Sequence, residues 1–189
     1  MEEEIIKRSL DFIRQTERLK NVLRSAHTSN GRKESTAEHT WRLCLMAMVF
    51  EKEFKEIDFS RLLKICVIHD LGEAINGDIP AVEQSGKVNK SNQERADLIT
   101  LLKSLPNEQR EYFLSLWDEY ENASSQEARL VKGLDKLETI IQHNQGLNPE
   151  DFNYEFNLTY GQKHTETFPL LNSIRKIIDE ETKLRANKS

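Results

Sequence analysis

Glycine and proline are scarce in this chain, seven and four among 189 residues. An architecture of many short strands needs both at its turns, so their scarcity argues against an all-β protein. Cysteine is scarcer still. Only Cys44 and Cys66 occur, each inside an apolar stretch of helical spacing. That placement argues against a disulfide framework or a cysteine-based zinc site and predicts two buried free thiols. No apolar run approaches the ~20 residues that cross a bilayer. The opening Met1-Glu2-Glu3-Glu4 is opposite in charge to the n-region of a signal peptide. The expectation is an intracellular, cytoplasmic protein with no membrane segment. Positive charge is also in deficit: 27 Lys and Arg face 32 Asp and Glu, a net charge of −5. An acidic chain is a poor partner for nucleic-acid polymers or anionic membranes, so anion binding must rest on a local basic pocket.

What remains is helix-forming material rich in Leu, Glu, Lys and Ala, in a length that suits one domain with its own core. Ile5, Ile6, Leu10, Ile13, Leu19 and Leu23 recur at helical spacing and predict a first helix over residues 4–24. A polar, basic loop over 26–33 follows. Ser35-Thr36-Ala37-Glu38 has the form of a capping box and opens a helix over 36–54 with His39 in its first turn. Further helices are expected over 59–72, 92–104, 107–121, 124–144 and 165–185, with 81–91 polar and irregular. Trp41, Trp117 and the phenylalanines are expected to pack in the core or at its edge. No repeat or shift of composition marks a second domain. The predicted architecture is all-α, a single helical bundle.

The segment Ile65-Cys66-Val67-Ile68-His69-Asp70-Leu71-Gly72-Glu73-Ala74 carries the strongest chemical signal. An apolar run delivers a histidine and an aspartate together, and Glu73 follows one turn later. Lone carboxylates are costly in apolar surroundings, so such groups are paired or bind metal. On a continuous helix His69 and Asp70 would lie about 100° apart, with Glu73 on the face between them. This end of a helix therefore presents metal-ligand chemistry that needs partners from elsewhere. His39 is one candidate. Asp135, flanked by Leu134 and Leu137, is another; the plain alternative is a surface carboxylate paired with Lys132 or Lys136. His27, His143 and His164 fall in polar segments or near a helix end and are read as ordinary histidines, His143 as a protonated ring complementing the helix dipole.

Taken in order, His39, His69-Asp70 and Asp135 resemble the H…HD…D signature of the HD-domain metal-dependent phosphohydrolases. The chain is most similar to the small HD-domain 5′-deoxynucleotidases. Ser35 to Thr40, His69 to Ala74, Gly77-Asp78-Ile79-Pro80, Leu116 to Glu121 and Leu134 to Glu138 look like motifs of that branch in its order. The resemblance spans about 4–145 and leaves 146–189 as a C-terminal helical extension of one HD domain. It implies one divalent cation (Mn, Co, Fe, Ni, Zn or Mg) held by His39, His69, Asp70 and Asp135. It also implies a small-molecule nucleotide substrate and a homodimer. Glu73 and Asp78 become the catalytic carboxylates, in either order of acid and base; together with the Ile79 carbonyl they could also hold a second ion. The family's basic segment reads Leu19-Lys20-Asn21-Val22-Leu23-Arg24 here, which departs from the family pattern at Asn21, Val22 and Leu23. Lys20 and Arg24 are the phosphate contacts it would supply, with Arg32 and Lys33 behind them. The implied reaction is hydrolysis of (deoxy)nucleoside 5′-monophosphates. Two alternatives stand beside it: another phosphorylated nucleotide (alarmone, triphosphate or cyclic diester), or a non-catalytic helical interaction protein with a vestigial metal site.

Overall fold

The structure, a computed structural model, describes residues 3–78 and 90–187. In chain order its elements begin with α1 (Glu3–Thr16), β1 (Leu23–His27), β2 (Lys33–Ser35), α2 (Thr36–Val49) and α3 (Phe59–Ile68). They continue with α4 (Glu73–Asn76), α5 (Lys90–Leu101), α6 (Asn107–Asn122), α7 (Gln126–Gln145), α8 (Gln162–Thr165) and α9 (Pro169–Ala186). Short 3₁₀ turns cover Glu17–Lys20, Glu51–Glu53, Leu102–Ser104 and Glu155–Leu158. The all-α expectation holds, with one two-stranded antiparallel hairpin added. No helix among the described residues is long and apolar enough to cross a membrane.

The bundle is assembled around α7. Ser125 caps it, the hydroxyl accepting from the Ala128 amide at 3.0 Å. Leu130, Val131, Leu134, Leu137 and Ile140 are fully buried against α2, α3, α6 and α9. Each such side chain contributes about 1.5–3 kcal/mol of hydrophobic stabilisation. The polar side of α7 is buried too: Asp135, Glu138, Thr139, Gln142 and His143 are each less than a tenth exposed. Their offsets of three and four place them in one stripe along the helix. Residues beyond 145 return to the same helix. The Asn144 amide donates to Ile178 O at 3.1 Å and to the Thr182 hydroxyl at 2.9 Å. The buried Arg175 guanidinium on α9 holds Asn157 O at 2.7 Å and Tyr160 O at 2.8 Å.

Local signals explain the helix starts better than the ends. The capping box forms as expected: Ser35 N donates to Glu38 Oε2 at 2.8 Å, and Glu38 N to Ser35 Oγ at 3.3 Å. Asp58 caps α3 by accepting from Arg61 N at 3.0 Å. The first helix, expected to reach residue 24, stops at Thr16. The predicted loop over 26–33 belongs instead to a hairpin in which Leu23 faces Ser35 and His27 faces Lys33. Leu23 to His27 has no strand-like alternation of apolar residues; contacts with α7 hold it extended, among them Gln142 Nε2 to His27 O at 2.6 Å. Trp117 is buried as expected, whereas Trp41 is 65% exposed on the outer face of α2 and forms no part of the core. Of the stretch 81–91, expected to be irregular, residues 81–89 lie outside the described residues, as does Ile79, whereas Lys90 and Ser91 already belong to α5.

Gly72 sets how closely α5 approaches the turn between α3 and α4. A Cβ there would lie 2.6 Å from the backbone oxygen of Glu94, too close unless α5 moves. Gly72→Ala is therefore expected to destabilise the protein by about 1–3 kcal/mol. Urea unfolding of the two proteins side by side measures this; an unchanged midpoint would contradict the tight approach.

Candidate active site

A cavity of about 890 Å³ opens between β1, the turn after α3, α5, α7 and the segment 149–164. His69, Asp70, Glu73, Asp78 and Asp135 all line it. Contrary to the expectation of one helix over 59–72, α3 ends at Ile68. The backbone then tightens, with Leu71 N bonding Ile68 O and Glu73 N bonding Asp70 O, both at 3.0 Å. Adjacent residues of such a turn still leave the backbone about 100–120° apart, so it is the reach of the two side chains that brings their polar atoms together. His69 Nε2 and Asp70 Oδ2 lie 3.0 Å apart and face one volume. Glu73 starts α4, buried, and accepts from the Thr36 hydroxyl at 3.2 Å. Gly77 follows with φ +85°, a conformation that favours glycine, and turns the chain so that Asp78 also reaches the cavity.

The two imidazoles are oriented by their outer nitrogens. His39 Nδ1 meets Glu138 Oε2 in a short contact, and His69 Nδ1 meets Cys66 O at 2.7 Å. A carboxylate or carbonyl oxygen can only accept here, so Nδ1 is the donor in both rings. Nε2 is then the atom each ring offers to a cation. Both Nε2 atoms are buried without a hydrogen-bond partner. His39 Nε2 lies 3.1 Å from Asp135 Oδ1 and 3.8 Å from Asp70 Oδ2. Donor atoms of His39, His69 and Asp70 all fall within 4.8 Å of one another. Asp135 is buried rather than solvated: its Oδ2 accepts from Tyr120 Oη at 2.8 Å and Lys136 Nζ at 2.7 Å, leaving Oδ1 toward His39. Two orphaned imidazole nitrogens beside two carboxylates form a donor set suited to a divalent cation.

The electrostatics of the pocket match that donor set. Burial and Arg24 favour neutral His39, but Glu138 and Asp135 outweigh them and push its pKa up to about 9. The surroundings thus demand positive charge at this nitrogen. Burial first, then Asp70 and Asp78, pushes the Glu73 carboxyl up to about 10, which favours a protonated acid in a pocket crowded with carboxylates. Glu138 is itself held by Arg42, with Nε to Oε1 at 2.6 Å, so the charge on the second carboxylate behind His39 is compensated.

Positive charge is concentrated where the sequence requires it, though not by all the residues expected. Arg24 lines the cavity with its side chain 12% exposed, 3.6 Å from Asp70 Oδ2 and donating to Thr139 Oγ1 at 3.0 Å. Lys20 does not line the cavity; it is exposed on the turn before β1, and Arg32 is exposed and paired with Glu38 at 2.6 Å. Lys33 is also exposed and outside the cavity wall. Sequence reasoning missed Lys90, Lys132 and Lys136 as cavity-lining cations. Lys90 Nζ lies 3.9 Å from both Glu73 and Asp78 and 3.1 Å from Glu94. For Lys132 and Lys136 the available signal was their offsets from Asp135 on α7. Glu138, three residues after Asp135, carried the same signal.

His143 departs most from its expected role. It is 7% exposed, and burial pulls its pKa down to about 4 despite the hydrogen bond to Asn157. The ring is therefore neutral, not a cation complementing the helix end. An unfolded histidine takes up a proton near pH 6.5 while the folded one resists until about 4, so stability is lost as pH falls through that interval. Urea unfolding between pH 7 and pH 4 should show this loss, and His143→Gln should shrink it. Equal slopes in the two proteins would contradict a buried neutral ring.

Comparison with known proteins assigns the chain a family. A family model described as HD domain matches residues 16–175. The 5′-deoxynucleotidase HDDC2 of Dictyostelium discoideum is 33% identical over 141 residues, covering 70% of this chain and 74% of that protein. Its namesake from Xenopus laevis is 30% identical over 172 residues, covering 87% and 85%. A solved structure, a predicted metal-dependent phosphohydrolase from Magnetospirillum magnetotacticum MS-1, superposes with a TM-score of 0.83 at 24% identity, over 97% of this chain and 95% of that one. At that identity the likeness is one of fold. The extent of the family match and the level of identity place this chain in the HD-domain family, beside relatives that are 5′-deoxynucleotidases.

Proposed function

We propose that this protein is a metal-dependent phosphomonoesterase that hydrolyses deoxynucleoside 5′-monophosphates to nucleoside and inorganic phosphate. The observation that carries the metal dependence is the pair of unpartnered Nε2 atoms of His39 and His69 facing Asp70 and Asp135. The substrate class is supported by the relatives, which are named 5′-deoxynucleotidases. His39, His69, Asp70 and Asp135 would hold one divalent cation, with Glu138 and the Cys66 carbonyl fixing the two rings. Bound there, the cation would supply Lewis acidity toward a phosphoryl oxygen and acidify water.

The remaining steps belong to the chain's own groups. Arg24, reinforced by the lysines of α5 and α7, would orient the phosphate dianion. Glu73, aligned by Thr36, is our choice to accept the proton of the attacking water, in the ionised form that a cation bound beside it would favour. Asp78 would return a proton to the departing 5′-oxygen; the two roles can be exchanged without conflict with the geometry. If a second ion participates, Glu73, Asp78 and the Ile79 carbonyl are its proposed ligands. Residues 1–189 are proposed as one domain in which the part after 145 completes the cavity wall. A homodimer is supported by the exposed apolar stripe Trp41, Leu45, Met48 and Val49 on α2. A cytoplasmic location is supported by the free thiols of Cys44 and Cys66.

Phosphate release from a panel of ribo- and deoxynucleoside 5′-monophosphates, using metal-stripped protein with single cations restored, tests the activity. Release restored by a transition metal and favouring deoxynucleotides is expected; no release with metal demonstrably bound would overturn the proposal. Asp70→Ala should abolish turnover, and retained activity would remove the metal mechanism. Glu138→Gln should weaken metal binding about 10–100-fold, as loss of the group orienting a ligand histidine does. Competition with a chromogenic chelator measures that effect.

A further inference from the structure

The cavity extends well beyond the carboxylates, toward a wall made by the end of α7 and the segment 149–160. There the His143 ring donates from Nδ1 to Asn157 Oδ1 at 2.9 Å, since the amide oxygen can only accept. Asn157 is fully buried, and Arg175 fixes its backbone from α9. This bond joins α7 to the following turn and uses one polar atom of each side chain. The other two, His143 Nε2 and Asn157 Nδ2, are buried and have no hydrogen-bond partner among the described residues. Both residues line the cavity. A structural clamp would need only the bond already made. Two orphaned atoms on neighbouring side chains, one an acceptor and the other a donor, instead describe a site for a complementary group.

We propose that His143 and Asn157 form the nucleobase subsite of the cavity. Each nucleobase carries an N–H beside a carbonyl or ring nitrogen on its edge. The N–H would donate to His143 Nε2, and the neighbouring acceptor would take a hydrogen from Asn157 Nδ2. Phe156 and Tyr160, with ring centroids 5.3 Å apart, supply partly exposed aromatic surface in the same wall. Phe152 packs edge-on against the His143 ring at 4.9 Å and fixes its plane. The phosphate end recognises any phosphomonoester; this wall selects those that carry a base. The assignment deepens the proposed nucleotidase activity and rests on it.

The test compares deoxynucleoside 5′-monophosphates with deoxyribose 5-phosphate, which has the same ester and no base. In His143→Leu the ratio of kcat/KM for nucleotide over sugar phosphate should fall about 10–100-fold, chiefly through KM, as expected when a buried hydrogen bond loses one partner. His143→Gln, which can place an acceptor oxygen near the Nε2 position, should recover part of that ratio. An unchanged ratio in His143→Leu overturns the subsite, and so does a glutamine variant no better than the leucine one. Should His143→Leu not fold, the ¹⁵N shift of His143 Nε2 in the native protein decides: a change on adding deoxynucleoside supports the subsite, and none overturns it. That titration needs no turnover. A protein that releases no phosphate from any monophosphate would therefore fail as a nucleotidase while the base subsite is still judged by itself.

Discussion

Burying charge on the central helix is the constraint from which the rest of this molecule follows. Asp135 and Glu138 sit on the most enclosed element of the bundle, where neither has enough water to stabilise it. Each is therefore partnered, Glu138 from another element and Asp135 both from another element and from its own. Glu138 holds His39 of α2 and Arg42 one turn later, while Asp135 holds Tyr120 of α6 and its own neighbour Lys136. These contacts fix where α2 and α6 lie against α7, and so place the His39 Nε2 atom. The turn after α3 then brings His69 and Asp70 to the same point, with the Cys66 carbonyl holding the ring. Removing one partner from such a network leaves its counterpart buried and unpaired, a larger loss than the bond itself is worth. The site and the packing of the bundle are thus one arrangement.

How much of this was legible in the sequence depended on whether the signal was local. Ser35 and Glu38 announce a helix start because both halves of the capping box lie within one turn. His69 and Asp70 stand out because polar groups interrupt an apolar run. Helix ends were read less well, since the stops at Thr16 and Ile68 are made by backbone tightening that side-chain periodicity does not encode. The β1 strand was invisible for a different reason. Leu23 to His27 is held extended by β2 and by α7, more than a hundred residues away. That distant packing also separates Arg24, inside the cavity, from Lys20, outside it; in sequence the two look equivalent. His143 and Asn157 belong to the same class. Fourteen positions apart, one near a helix end and one in a 3₁₀ turn, they acquire their roles only when the chain after α7 folds back.

The electrostatic balance of the cavity links its two tasks. Asp70, Glu73, Asp78 and Asp135 crowd the end where a phosphate dianion would have to sit, and their field alone repels it. Arg24 and Lys136 are already engaged with Asp70 and Asp135, and Lys90 with Glu73, Asp78 and Glu94. The cations lining the wall therefore mostly neutralise carboxylates. A divalent cation at the two imidazoles, as proposed, would add positive charge to this end of the cavity. By linkage, whatever favours the cation favours the phosphate, and the reverse holds equally. On that proposal an acidic chain would bind an anion more tightly in its metal-loaded form. In the metal-free protein protons answer instead: Glu138 and Asp135 raise His39 against burial and Arg24, and burial first, then Asp70 and Asp78, raises Glu73.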